Sequence, residues 1–237
     1  VFHQQKKKNK WQFLVGLVSL IFFGVATFNS GYSIDKKQPN SLVFVQNSDN
    51  NTSYWATYNK TFDSYTNQIF NDSYEESNIP FNEGKSKYNT RFSYSKKAEN
   101  KNLNTSNIII NLDTIIGSKR NLNFTITPTR KIDRYEFQNN TPITMSEFSV
   151  NGACYDAGKS FIADKGTLLI YQMANSDKDV TISFSIDKNE NPDITLNEIS
   201  YDLLSNPKFN LKPRSETMMP MPFVVNDAII CSKKIKF

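Results

Sequence analysis

The chain has 237 residues, a formal net charge of +5, two cysteines and a single histidine, His3. The single histidine precedes the apolar segment 11–28, away from the serines, cysteines and carboxylates of the remaining chain, which excludes a histidine-ligated zinc site, a Ser-His-Asp triad and a Cys-His pair for that remaining part. Four lysines among residues 1–10 leave only +1 for the rest, which argues against a broad phosphate-binding face and predicts no nucleic-acid partner.

Residues 11–28 carry no charged side chain and follow a basic flank formed by Lys6, Lys7, Lys8 and Lys10. As a helix this run is about 27 Å long, enough for the hydrocarbon core of a bilayer. We therefore predict a transmembrane helix over residues 11–29, with Trp11 at the interface and the lipid bilayer as a partner. The positive-inside rule places residues 1–10 in the cytoplasm and the rest outside, in a periplasm, a lumen or the cell exterior.

A cleavable signal peptide is the alternative to a transmembrane helix. A basic segment, an apolar stretch and the small residues Gly24 and Ala26 before a cut would fit that interpretation. Both interpretations export the remainder of the chain.

Residues 30–70 are predicted to form a tether, a hairpin and one short helix. The hairpin strands are residues 41–46 and 54–58, which are rich in aromatic and β-branched side chains and are separated by a turn-rich segment. The helix is indicated by the spacing of Phe62, Tyr65, Ile69 and Phe70.

Residues 71–106 are rich in Ser, Asn and charge and are predicted to be a linker or long loop. Residues 107–237 then show repeated strand signals with no helical segment between them, which favours an antiparallel β-sandwich. The clearest is 180–186, where Val180, Ile182, Phe184 and Ile186 alternate with polar residues. The other predicted strands are residues 107–114, 121–127, 135–138, 143–150 and 167–173. The predicted fold class is mainly β: an N-terminal transmembrane helix followed by a β-sandwich-like extracytoplasmic domain with one short helix.

Two segments partly match ligand-binding motifs. Residues 153–160, ACYDAGKS, resemble a phosphate-binding loop, but no helix is predicted after them, so a hairpin loop is the better interpretation. Residues 187–193, DKNENPD, resemble a calcium loop with Glu198 at the twelfth position; Pro192 replaces the required glycine, and a plain turn is favoured. We therefore predict no catalytic, cofactor-binding or metal-binding residue.

Three further features leave alternatives open. Cys154 and Cys231 are a candidate disulfide in an exported domain, and unpaired thiols are equally ordinary. N-x-S/T sequons are glycan sites in a eukaryotic secretory protein and chance matches in an Asn-rich bacterial one; they include those that begin at Asn51, Asn59, Asn71, Asn104, Asn123 and Asn139. The lysines near the C terminus (Lys233, Lys234 and Lys236) are predicted to be a solvated end.

Two stretches carry a family resemblance. The first is residues 39–66, PNSLVFVQNSDNNTSYWATYNKTFDSYT, above all YWATYNK with Asp63 and Thr66. The second combines YDLLSNPKFN (201–210) with MMPMPFVVNDAIICSKKIKF (218–237). Both resemble the C-terminal region of multi-pass membrane zinc exopeptidases of peptidase family M-twenty-eight, the endoplasmic reticulum metallopeptidase and vacuolar membrane protease type, particularly bacterial members.

The resemblance implies a parent protein in which a peptidase domain with zinc precedes several membrane helices and a β-rich soluble domain ends the chain. The zinc ligands and the general base of that family have no counterpart among these residues. The chain would then be a non-catalytic anchor and accessory domain whose partner is the upstream peptidase domain. A free-standing exported sandwich that binds a sugar or a protein through aromatics such as Tyr54 and Trp55 is the alternative.

The apolar run near the C terminus has two interpretations. Pro220 and Pro222 keep its first part extended, and residues 228–231 resume a strand. The run is either a core strand that closes the domain, which we favour, or an exposed patch that docks onto the peptidase domain.

Overall fold

The computed structural model describes residues 2–79, 91–155 and 159–237, with side chains from Lys10 onward. The chain divides into two compact units. The helical unit contains Val1–Pro39 and Arg214–Met219, and the β-domain contains Asn40–Pro213 and Pro220–Phe237.

Two helices and sixteen strands are present among the described residues. The helices are α1 (Phe2–Phe28) and α2 (Asn67–Phe70). The strands are β1 (Gln38–Asn40), β2 (Val43–Asn47), β3 (Thr52–Thr57), β4 (Glu75–Glu76), β5 (Tyr94–Lys97), β6 (Asn107–Ile116), β7 (Lys119–Thr127), β8 (Arg134–Asn139), β9 (Ile143–Val150), β10 (Ala153–Cys154), β11 (Ser160–Ala163), β12 (Gly166–Gln172), β13 (Val180–Asp187), β14 (Ile194–Ser200), β15 (Met218–Pro220) and β16 (Ala228–Lys234).

In the helical unit, α1 runs without a break through the apolar segment and is followed by a tight turn in which the backbones of Ser33 and Lys36 bond to each other. β1 and β15 form a two-stranded sheet. At its start, the Gln38 amide donates to the Thr217 carbonyl at 2.8 Å. The tether after the helix is therefore bonded to a segment near the C terminus.

The β-domain is a sandwich of two sheets. The larger has eight strands in the order β12-β8-β14-β16-β2-β3-β5-β4, and the smaller has six, β10-β9-β13-β7-β6 with β11 also paired to β9. These ladders are antiparallel except for β16 and β2, which are parallel. The predicted β-sandwich is confirmed, with this one parallel pair that the sequence patterns did not indicate.

The main core lies between the sheets, where inward residues of β7 and β13 pack against β8 and β14. The alternation predicted for residues 180–186 is confirmed, because Val180, Ile182, Phe184 and Ile186 are all buried. A second core lies on the other face of the larger sheet, where Val43, Val45 and Ile230 pack with Val225. Strands β2 and β16 are therefore buried on both faces, which explains why they read as continuous apolar runs.

The predicted hairpin is present as β2 and β3, with Val43 opposite Ala56. The short helix is present as α2, a single turn in which Phe70 is buried. Before it, the Asp63 carboxylate accepts the amides of Tyr65 and Thr66 at 3.0 and 2.9 Å. This Asx turn accounts locally for two of the residues in the family-like segment.

The predicted boundaries differ from the structure in two places. The hairpin is not separate from the sandwich, because β2 and β3 are inside the eight-stranded sheet. Residues 71–106 are not simply a linker: β4 and β5 extend the same sheet, and Leu103 and Ser106 are buried, while residues 80–90 lie outside the described part. Composition misled the prediction because this stretch is held by backbone pairing and polar contacts rather than by aliphatic side chains.

Candidate functional site

The first candidate is the apolar helix. Lys10–Phe28 is long and apolar enough to cross a membrane, and none of it is buried within the protein. Trp11, at its start, is 67% exposed, as an interfacial residue would be. Lys10 is exposed next to it, whereas the side chains of Lys6, Lys7 and Lys8 lie outside the described residues. A long helix with a fully exposed apolar surface is stable only in an apolar environment, which weakly favours membrane anchoring.

The second candidate is a row of buried polar side chains across the centre of the larger sheet. Neighbours in register from β8 to β3 are Tyr135, Glu198, Cys231, Gln46 and Ser53. All five are almost wholly buried. Such a row is costly to bury unless its members are hydrogen-bonded, so its partners explain what it does.

Glu198 is the charged member of this row and has no exposed surface. Its Oε1 accepts the Ser106 amide at 2.8 Å, and its Oε2 has no hydrogen-bond partner within the protein. The Ser106 hydroxyl lies 2.8 Å from the Tyr135 hydroxyl. Burial raises the pKa of Glu198 above its ordinary value, although Arg130, the Ser106 amide and Lys233 act in the opposite direction.

The cations around Glu198 donate hydrogen bonds to backbone carbonyls and to the Ser200 hydroxyl rather than to its carboxylate. Arg130 donates to the Glu198 carbonyl at 3.2 Å, to the Ser200 hydroxyl at 2.6 Å and to the Asn104 carbonyl at 3.2 Å. Lys233 donates to the Ser106 carbonyl. Burial lowers the pKa of Lys233, and Glu198 opposes that shift. The predicted solvated end is therefore wrong for Lys233, which lies half-buried in the sheet.

Gln46, another member of the row, forms two hydrogen bonds with the backbone of one residue in the loop between β5 and β6. Its Nε2 donates to the Leu103 carbonyl at 3.1 Å, and its Oε1 accepts the Leu103 amide at 3.2 Å. Together with the bonds to Ser106, this fixes residues 98–106 against the sheet. The row thus satisfies backbone groups of this loop at its two buried residues, Leu103 and Ser106, which is a structural task.

The row does not provide an activated nucleophile. Burial raises the pKa of the Cys231 thiol to about 11, so the thiol stays protonated at neutral pH. Cys231 and Cys154 are both free thiols, the first buried and the second exposed on β10, so the candidate disulfide is not formed. Cys154 lies in the smaller sheet and Cys231 in the larger one, so of the two open alternatives the structure has the unpaired thiols.

We expect Cys154 to react rapidly with a thiol reagent in the native protein and Cys231 to react only after unfolding. The reason is that a buried, protonated thiol is neither accessible nor nucleophilic. Counting modified cysteines by intact-mass spectrometry, with and without denaturant, checks this result. One thiol should be modified in native buffer and two in denaturant; two in native buffer, or none, would contradict the assignment.

The described residues around both ligand-motif matches are held by strand pairing and turns. In the segment resembling a phosphate loop, residues 156–158 lie outside the described part, but β10 precedes them and β11 follows, both paired with β9. In the calcium-like segment, the Asp187 carboxylate accepts the Asn189 amide at 2.9 Å in a turn between β13 and β14. Its twelfth residue is Glu198, buried in the row. Among the described residues, no group of three or more His, Cys, Asp or Glu side chains could hold a metal ion.

The two aromatics offered as a binding platform, Tyr54 and Trp55, are half-buried rather than exposed. The Trp55 ring makes edge contacts with Phe44 and Phe209, with centroids 5.2 and 5.6 Å away. This cluster covers the end of the sheet beside the buried row. Aromatic residues in β-strands occur both in the core and on the surface, and here Trp55 packs against other aromatic side chains within the domain.

The sequons also divide by burial. Asn51, Asn71 and Asn104 are exposed. Asn59 and Asn139 are buried, with side-chain amides that bond the Ser41 amide at 2.8 Å and the Ala163 carbonyl at 2.7 Å. A glycan has no room at these last two positions in the folded domain, so they serve the fold.

Sequence reasoning missed the buried row. One signal was available: in ITLNEIS, Glu198 has the same strand parity as Ile194 and Leu196, which places a carboxylate on a core face. The partners Arg130, Ser106 and Gln46 are far away in the chain and give no comparable local signal.

Comparisons with known proteins add no relative. No family model matches this chain, and a search of curated proteins finds no match.

Proposed function

We propose that this chain is the membrane anchor and non-catalytic accessory β-domain of a membrane-bound zinc aminopeptidase-like protease of peptidase family M-twenty-eight. In this proposal α1 crosses the bilayer, the β-domain lies on the extracytoplasmic side, and the zinc ions belong to a peptidase domain encoded upstream. The partners of the chain are the lipid bilayer and that peptidase domain.

The observation that carries the proposal is that the two family-like stretches form one bonded unit. Asn226 connects them, because its Oδ1 accepts the Leu42 amide at 3.0 Å and its Nδ2 donates to the Asn40 carbonyl at 2.8 Å. The Asp227 amide donates to the Leu42 carbonyl at 3.0 Å, and β16 then pairs with β2. Chance similarity in two separate segments would give no reason for them to meet.

The remaining residues of the resemblance lie in the same unit. Phe209, from the YDLLSNPKFN segment, packs on Phe44 with ring centroids 4.8 Å apart. The Tyr65 hydroxyl, beside Asp63 and Thr66, lies 3.4 Å from a carboxylate oxygen of Asp227. The residues that carry the resemblance therefore lie in or next to the centre of the larger sheet. The folding of an accessory domain would depend on this part.

The decisive experiment is to read the gene upstream of the codon for Val1 and to assay its full product. The proposal expects a peptidase domain with paired His, Asp and Glu ligands, and zinc-dependent release of N-terminal residues from peptides. A start codon within a few residues of Val1 would overturn it and favour the free-standing exported binding module. The binding-module alternative also needs an exposed aromatic surface. The packing of Trp55 against Phe44 and Phe209 counts against the surface proposed for it, Tyr54 with Trp55.

We expect the purified 237-residue chain to have no aminopeptidase activity, with or without added zinc, because it carries no zinc ligand set among the described residues. Hydrolysis of aminoacyl-nitroanilides in detergent solution, with a known zinc aminopeptidase as positive control, measures this directly. Hydrolysis that requires zinc and is abolished by a chelator would refute the non-catalytic assignment.

A further inference from the structure

The long edge strand β6 is unusually apolar and exposed. Nine of its ten residues are exposed, including Ile109 at 57% and Ile116 at 69%. Among the described strands it pairs only with β7, so its outer edge presents unpaired amides and carbonyls. A strand of this length and composition at a sheet edge is a template for another strand.

Of the usual protections of an edge strand, β6 carries a bulge between Ile110 and Leu112 and one charged residue, and it lacks basic residues and proline. Its one charged residue, Asp113, is neutralised within the chain by Arg120, whose Nε and Nη2 donate to the two carboxylate oxygens at 2.7 Å each. The edge is therefore electrically neutral, and its complement is a neutral, apolar, extended strand.

Pairing with β7 assigns each residue of β6 to a face. The residues opposite the inward side chains of β7 are Ile108, Ile110, Asp113 and Ile115. The extra residue at the bulge is Asn111, whose amide donates to the outward Asn123 and Thr125 at 2.7 and 2.8 Å. Asn111 therefore shares the outer face with the remaining residues of the strand, which are Asn107, Ile109, Leu112, Thr114 and Ile116.

This pattern is complementary to itself. In an antiparallel pair with a two-fold axis between Asn111 and Leu112, all ten residues are paired and each faces a residue on the same side of the sheet. Ile108 faces Ile115 of the second copy, Ile110 faces Asp113, and Ile109 faces Thr114. A shift by one residue in either direction places Ile108 opposite an outward residue.

We propose that β6 pairs with β6 of a second copy of this chain, joining the two six-stranded sheets across a two-fold axis. The pairing satisfies the edge backbone, covers isoleucines on both faces and keeps the two Asp113 side chains opposite isoleucine instead of each other. A self-complementary patch of this kind generates a closed dimer rather than a filament.

The register is tested by charge exchange at Leu112, which lies next to its counterpart across the axis. The chain is purified in detergent, and its mass is measured by sedimentation over a dilution series. The wild type is expected to dimerise. L112K and L112E alone should each dissociate roughly tenfold or more readily, because like charges meet at the axis, and an equimolar mixture should regain the dimer. Ile162→Lys, a change at an exposed apolar residue of β11 in the same sheet, is the control.

A second measurement does not depend on affinity. With Cys154→Ser to remove the exposed thiol, Leu112→Cys should form an intermolecular disulfide on mild oxidation. Strand spacing and rise place the two Cα atoms about 6 Å apart, within disulfide range. Ile162→Cys should cross-link far more slowly. Circular dichroism melting verifies that each variant is folded.

Three results would overturn the proposal: a wild-type chain that is monomeric at all concentrations, a dimer that charges at position 112 do not weaken, or cross-linking at position 112 no faster than at position 162. A dimer that survives L112K would show that another surface holds it.

Discussion

Deleting residues 226–237 is expected to abolish cooperative folding of the β-domain. The deletion removes β16, which lies between β14 and β2 in the centre of the larger sheet. Ile229, Ile230 and Ile235 are buried there, and burial of each is worth about 1.5–3 kcal/mol, a sum comparable with the whole stability of a domain. The deletion also leaves the backbone amides and carbonyls of β14 and β2 that pair with β16 without hydrogen-bond partners. Circular dichroism and thermal melting should show no cooperative transition.

The control for this deletion separates a core role from a docking role. Phe223 precedes β16, is 79% exposed and has a positive φ of 64°. Phe223→Asn, which suits that backbone conformation, should leave the melting temperature nearly unchanged. An unchanged melt after the deletion would reverse the conclusion and make the C-terminal run a docking segment. The predicted core strand thus applies to β16, whereas Phe223 lies outside the core.

The second large effect is expected at Glu198. Its folded pKa is raised above the unfolded value, so its contribution to stability is complete below the unfolded pKa and is lost as the pH rises through the folded pKa. Glu198→Gln keeps an acceptor for the Ser106 amide and removes the buried ionisation. The variant should therefore gain stability relative to wild type as the pH increases from about 4.5 to 8, by about 1.4 kcal/mol for each unit of raised pKa.

Two further variants complete the Glu198 experiment, in which the free energy of unfolding is measured by urea titration at several pH values. Glu198→Ala leaves the Ser106 amide without an acceptor and opens a cavity, so it should be less stable than Glu198→Gln by about 2–4 kcal/mol at every pH. Glu75→Gln, at an exposed strand residue, should follow the wild type throughout. A Glu198→Gln variant whose stability relative to wild type is constant with pH would show that Glu198 does not titrate as proposed.

The Glu198 variants also test how the loop between β5 and β6 is held in place. Ser106 and Leu103 are bound by side chains of the buried row, and β6 begins at the next residue, Asn107. Loss of the Glu198 contact therefore acts directly on the start of the edge strand. A Glu198→Ala chain that remains folded should show weakened dimerisation through β6 as well.

By itself the sequence determined the long apolar helical segment, the β-class of the rest of the chain and most of its strands. These features are local: a run of 18 apolar residues, or alternation such as that of Val180, Ile182, Phe184 and Ile186, is visible within one segment. The short helix α2 and the turn at Asp187 were predictable for the same reason, since each depends on neighbouring residues.

Only the tertiary structure decided which strands are neighbours. The parallel pairing of β2 with β16 joins segments that are far apart along the chain; Leu42 and Asn226, which bond next to this pair, are separated by 184 positions. No local pattern in the sequence specifies such a contact. β5 was hidden in a polar stretch because its place depends on the free edge of β3. The buried row depends on the registers of five strands at once. Glu198 could be suspected from its position on a core face, but its partners Ser106 and Arg130 become visible only when the chain has folded.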